Sequence, residues 1–224
     1  MEQTNILVRN LRIAYPLWFI TGIYSFYYVP LQYLNLNDPE TTAAEIQANE
    51  LLFRMGVLGE LVVQFFFLYV GWLLYRLFKT ENASVSLLML MLVLAAVPMA
   101  MLNQVNDLTA LKVIEQPELL MDSLITKAYG LRITKIFWGL WLFPLAYLVM
   151  KSPLFPRFLG FLLIAGGSGY TLEFVGKMLA EESELFYQVC SILTLGEPLW
   201  MLWVVVMGAR DHAEDKVVEQ ENNT

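Results

Sequence analysis

The side chains that could carry chemistry in this sequence are Glu60, Gln64, Tyr129, Arg132, Lys135, Glu173 and Glu197. Each sits in a long apolar run, where a charged group at mid-membrane costs roughly 2.5–3.5 kcal/mol on insertion scales. For the charged members together, exposure to lipid would cost on the order of 10 kcal/mol or more, comparable to the whole stability of an ordinary domain. They must therefore face one another, water or the membrane surface. Glu60 and Glu197 suit a cation or a proton, and Arg132 and Lys135 suit a carboxylate or phosphate. A small polar or zwitterionic molecule would use both halves.

Helical spacing groups these residues into stripes. Gly56, Glu60 and Gln64 recur every four residues, and Tyr129, Arg132 and Lys135 every three, so each set shares a helix face. Gly166, Gly169 and Glu173 form a third stripe, whose small residues allow close helix approach. Cys190, Thr194 and Glu197 form a fourth. Pro198 follows Glu197 and removes a backbone donor, so a kink is expected there. A carboxylate beside a broken helix resembles the construction of transporter sites. Plainer readings stand beside these. Glu173 and Lys177, four apart, read equally as an interfacial ion pair, and Lys135 as a structural bridge to Glu60. Asn103 and Asn106 read as a helix end, and the glycine run 166–169 as a packing surface.

The elements that must position these groups are membrane helices. Of 224 residues, 58% are hydrophobic and only 16% charged, against about 25% charged in soluble domains. A spanning helix needs about 20 mainly apolar residues, and six segments qualify, at about 11–34, 51–78, 84–105, 125–150, 154–176 and 186–209. The continuously apolar run LLMLMLVLAAVPMAML excludes the alternation of a barrel strand. The fold class expected is all-α: a polytopic membrane protein forming a single six-helix domain over 1–209, with a polar, disordered cytoplasmic tail over 210–224. Arg9, Arg12, Arg76, Lys79, Lys151, Arg157, Arg210 and Lys216 fall on one side and the acidic loops on the other. The positive-inside rule then puts both termini in the cytoplasm of a cell (inner or plasma) membrane. The seven candidates fall mostly in the outer half, which predicts a polar pocket opening outward over an apolar inner half. Asp38-Pro39-Glu40 opens a short surface helix, the loop 106–124 carries no strand pattern, and Pro153 suits a first helical position.

Several functions are excluded or disfavoured by composition. A net charge of -7 lacks the basic footprint of nucleic-acid binding. The one histidine, His212, and the one cysteine, Cys190, rule out a disulfide, a haem bis-histidine site and the usual zinc spacings. No metal site, no cofactor and no catalytic residue is expected. No G-x-S-x-G elbow or histidine base is present, so an enzyme is the less favoured reading. The expected partners are membrane lipids and a small polar ligand, with homo-oligomerisation a further option. The leading function is binding or moving a small polar or zwitterionic molecule or a proton. The alternatives are a non-catalytic subunit or sensor of a membrane complex, and an intramembrane enzyme acting on lipid, with Glu60 or Glu197 as acid or base.

Particular stretches carry a family likeness: Glu50-Leu-Leu-Phe-Arg-Met-Gly-Val-Leu-Gly-Glu60, Leu-Leu-Tyr-Arg-Leu-Phe-Lys79, Ala128-Tyr-Gly130 with Phe137-Trp-Gly139, Ser152-Pro-Leu-Phe-Pro-Arg-Phe-Leu-Gly160, and Gly196-Glu197 with Leu202-Trp203. Together they resemble the bacterial membrane family called domain of unknown function 4386, in order and over nearly the whole chain. The resemblance implies a six-helix fold and no activity. It places Glu60 where that family tends to have an acid and Glu197 on its Gly-Glu pair. It also implies that Arg132 and Lys135 are particular to this chain, since the family is more apolar there.

Overall fold

The computed structural model describes residues 2–179 and 183–209; the expected tail, 210–224, lies outside the described residues. The chain opens with α1 (Glu2–Ile23), which runs through a π-helical turn (Tyr24–Tyr28) into α2 (Val29–Tyr33). Pro30 has no N–H to offer the Phe26 carbonyl, and Val29 donates its amide to the Tyr24 carbonyl one residue further back. A wider turn is one way a helix absorbs a proline. Then follow α3 (Pro39–Ala48), α4 (Glu50–Phe78), α5 (Ala83–Leu102), α6 (Gln104–Lys112), α7 (Pro117–Leu140), α8 (Leu142–Lys151), α9 (Phe158–Leu179), α10 (Glu184–Thr194) and α11 (Gly196–Val206). No strand occurs among the described residues.

Prolines set two of the breaks. α7 ends at Leu140, ahead of Pro144, and α10 ends at Thr194, ahead of Pro198. Each proline withholds the donor that the carbonyl four residues earlier would use. At the kink expected with Pro198, the helix is interrupted at the single residue Leu195, which keeps helical backbone angles. Two local expectations are corrected. The segment 106–124 is helical, covered by α6 and the first turns of α7, so the fourth long helix begins at Pro117 rather than near 125. Pro at the first turn and Glu118 beside it favour that start; the polar residues around Asp122 disguised it. Pro153 lies in a turn, and α9 begins only at Phe158.

Among the described residues, five helices are long and apolar enough to cross a membrane: Glu50–Phe78, Ala83–Lys112, Pro117–Lys151, Phe158–Leu179 and Glu184–Val206. That makes the protein a polytopic, all-α membrane protein. The first expected span, about 11–34, is helical along its length but is not one of the five, because Arg12, Thr21, Ser25 and Gln32 dilute it. Large apolar side chains face outward on these helices, among them Phe65, Leu88, Phe161 and Ile192. Such a surface suits hydrocarbon rather than water.

The described chain forms two compact units. One comprises the described residues of 2–13, 72–90 and 139–209; the other comprises 14–71 and 91–138. In the first, α9 is the central helix, packing on α8, α10 and α11. Its glycine face does this: a Cβ on Gly166 would press on the Glu197 backbone, and one on Gly169 would stand 2.6 Å from the Cys190 carbonyl. Phe155 sits between Phe78 and Trp200 at ring distances of 6.0 and 4.9 Å. Arg12 closes the end of α11, its Nε donating to the Val205 carbonyl at 2.9 Å, as a cation near a helix C-terminus should.

The second unit is built around α4. Gly56 and Gly59 admit Val29 and Ser25 of the first helical run, and Gly71 admits Val93 of α5. Trp18 stacks on Phe67 with centroids 5.2 Å apart. At the loop end, Ala43 and Ile46 of α3 bury against Phe53 and Val57, Ala110 of α6, and Leu120 and Leu124 of α7. The surface helix expected after Asp38 is thus an apolar lid. It starts where Asp38 accepts the Thr41 amide at 3.0 Å, with Pro39 in the first turn.

Candidate functional site

Directly beneath that apolar layer, one helical turn further along α4, α6 and α7, lies a buried ionic cluster. Lys127 Nζ stands 2.6 Å from Glu60 Oε1 and 2.7 Å from Asp107 Oδ2. Gln104 donates from Nε2 to the other Glu60 oxygen, Oε2, at 2.7 Å. Glu60, Gln104 and Asp107 are 3%, 5% and 0% exposed. Tyr33, at the end of α2, lies within electrostatic reach of both carboxylates and packs edge-on against Phe53 at 5.2 Å.

Helix periodicity assembles the group. Phe53, Val57 and Glu60 lie on one face of α4, Asp107 and Ala110 on one face of α6, and Leu120, Leu124 and Lys127 on one face of α7. Each helix therefore offers apolar residues near the loop and a polar one a turn deeper. Ion pairing in such a place offsets a desolvation penalty of several kcal/mol per ion, and here two carboxylates share one ammonium. The cluster holds one negative charge in excess. Asp107 Oδ1 and Gln104 Oε1 have no hydrogen-bond partner among the described residues.

The predicted residues distribute unevenly around this centre. Glu60 is its core. Gln64, one turn further along α4, is buried, and its Oε1 is without a hydrogen-bond partner. The cation on Glu60 is Lys127, where Lys135 had been the expected bridge. Arg132 instead stacks 5.2 Å over the Tyr129 ring, and that tyrosine is 56% exposed. Lys135 is half-buried on the same helix. An open polar vestibule over Glu60 is not what this unit shows, because the α3 lid and its apolar partners occupy that place.

Glu173 and Glu197 belong to the other unit. Glu173 pairs with Lys177 at 3.1 Å, the simple reading of that spacing, and Lys177 also lies 5.0 Å over the Tyr187 ring. Glu197 is buried in the first turn of α11, and the Tyr170 hydroxyl donates to its Oε2 at 3.2 Å.

Sequence reasoning missed Gln104, Asp107 and Lys127. A stripe was there to read: Gln104, Asp107 and Ala110 recur every three residues and all are buried. Reading 106–124 as loop placed Asp107 among solvated charges, and Lys127, at the outer start of the span expected from about 125, counted only as a flanking basic residue.

The comparisons with known proteins give a family and assign no activity. An "Uncharacterized protein" of Archaeoglobus fulgidus is 29% identical over 139 residues, covering 61% of this chain and 74% of its own length. No solved structure matches. Residues 13–208 match the family described as "Domain of unknown function (DUF4386)", and the chain belongs to that family.

Proposed function

We propose that this protein is a binding or transport component of the cell membrane, built as one six-span domain with both termini in the cytoplasm. It binds or moves a small polar or zwitterionic molecule or a proton at the Glu60–Lys127–Asp107 cluster. The observation that carries this reading is Asp107: it is 0% exposed, shares Lys127 with Glu60, and keeps Oδ1 without a hydrogen-bond partner among the described residues. A purely structural bridge would pair one acid with one base. Intramembrane ionisable groups of this cost are functional sites by default.

The sixth span in this reading is the α1–α2 run. Its outward face carries Ile13, Leu17, Ile20, Tyr27 and Leu31, an apolar stripe at helical spacing. The distribution of Lys and Arg supports the orientation. Labelling of Asn37→Cys from outside intact cells, and of Thr80→Cys only after permeabilisation, is expected; the reverse pattern refutes it. For function, the purified protein is screened by thermal unfolding against amino acids, amines and small zwitterions. Saturable stabilisation that Glu60→Gln abolishes is expected, and a flat response to every compound and to pH overturns the reading.

A further inference from the structure

Glu60 is already engaged on both oxygens, by Lys127 at Oε1 and by Gln104 at Oε2. The unpartnered acceptors lie together on α6. Asp107 Oδ1 and Gln104 Oε1 belong to residues three apart, on one helix face, and both side chains are more than nine-tenths buried. Among the described residues, the titratable groups facing them are Glu60 of α4, Lys127 of α7 and Tyr33 of α2. With both acids and the lysine ionised, the set carries one negative charge and lacks one positive partner.

We propose that a single monovalent cation, a proton or an alkali-metal ion, occupies the α6 face at Asp107 Oδ1 and Gln104 Oε1 and completes the cluster. This rests on the reading of the cluster as a binding site and names what it takes. One positive charge cancels the excess, whereas a divalent ion would invert it and would demand more oxygen ligands than this face offers. A water molecule would satisfy the two acceptors but leave the charge. A proton on Asp107 would donate to Gln104; an alkali-metal ion would draw on the same two oxygens.

The test is thermal unfolding of the full chain in mild detergent. Sodium or potassium chloride is exchanged for choline chloride at constant ionic strength, each from mildly acidic to mildly alkaline pH. The unfolding midpoint is expected to rise by several degrees in one arm: with sodium or potassium at fixed pH for a metal ion, or on acidification equally in choline for a proton. Asp107→Asn supplies an amide donor without the charge, so it should melt near saturated wild type and respond in neither arm. Gln104→Leu, which keeps the charge and loses an acceptor, should need about tenfold more cation or proton for the same shift. Wild type and both variants responding alike in every arm would leave water as the sole occupant and overturn the proposal. If these arms are flat while a zwitterion stabilises the protein, only this inference falls; if everything is flat, the functional reading falls with it.

Discussion

Lys127 lies 2.6 Å from Glu60 across 67 positions of sequence, and the same ammonium is 2.7 Å from Asp107. One lysine thus ties α7 to both α4 and α6. Removing one member of a buried ion pair strands the others and costs about 3–5 kcal/mol. Lys127→Ala should lose roughly that much stability in a detergent-titrated unfolding equilibrium. Arg132→Ala, which removes a guanidinium from the face of an exposed tyrosine, should lose about 1 kcal/mol or less. Equal losses would mean that Lys127 is not the anchor.

How much of this was legible follows from where polarity and periodicity agree. The long apolar runs announce their helices, so α4 and α9 sit within a few residues of expectation. Glu60 and Glu197 stood out because a lone acid in an apolar run has no bland explanation. Asp107 and Lys127 did not: Asp107 has polar neighbours that imitate a loop, and Lys127 stands at the expected start of a span, where a flanking lysine has a bland explanation. Toward the ends of membrane helices polar and apolar residues mix, and the buried stripe is then written in residues such as Gln104 and Asp107 rather than in leucines. Which base meets Glu60 depends on helix rotation and length, which a single sequence leaves unspecified.

Glu197 offers a contrast with the lysine cluster. It is buried, accepts from Tyr170 at 3.2 Å and has no ion-pair partner among the described residues. Glutamine in its place keeps an oxygen for the Tyr170 hydroxyl and strands no opposite charge. Glu197→Gln is expected to change stability by about 1 kcal/mol or less, whereas Glu197→Ala, which opens a cavity and orphans the hydroxyl, should cost about 2–3 kcal/mol. A large loss in the glutamine variant would reveal a cationic partner.

Close approach of α9 and α11 depends on Gly196, because a Cβ there would land on the Leu162 carbonyl oxygen and adjoining backbone. Backbone cannot rotate away as a side chain can, so Gly196→Ala must separate the helices and should cost about 3 kcal/mol or more. Gly22→Ala is the control: nothing lies within 4 Å of its added carbon, and the gain in helix propensity is about 1 kcal/mol. The two alanine variants should therefore move the unfolding midpoint in opposite directions.

Asp38 governs the lid over the buried cluster. Its carboxylate accepts the Thr41 hydroxyl at 2.5 Å and the Thr41 amide at 3.0 Å, and these bonds hold its pKa below the usual carboxylate value. A group depressed in the native state stabilises above its unfolded pKa, about 3.9 for aspartate, and that contribution disappears as pH falls through the lower native value. The cap of α3 is therefore constant across neutral pH and fails only in acid. At neutral pH, Asp38→Ala should speed amide hydrogen exchange across 39–48, because the first-turn amide loses its acceptor. In wild type, pepsin should begin to cut within 35–49 only below that acidic window. Protection that declines steadily between neutral and mildly acidic pH would mean that another titrating group, not Asp38, holds the lid.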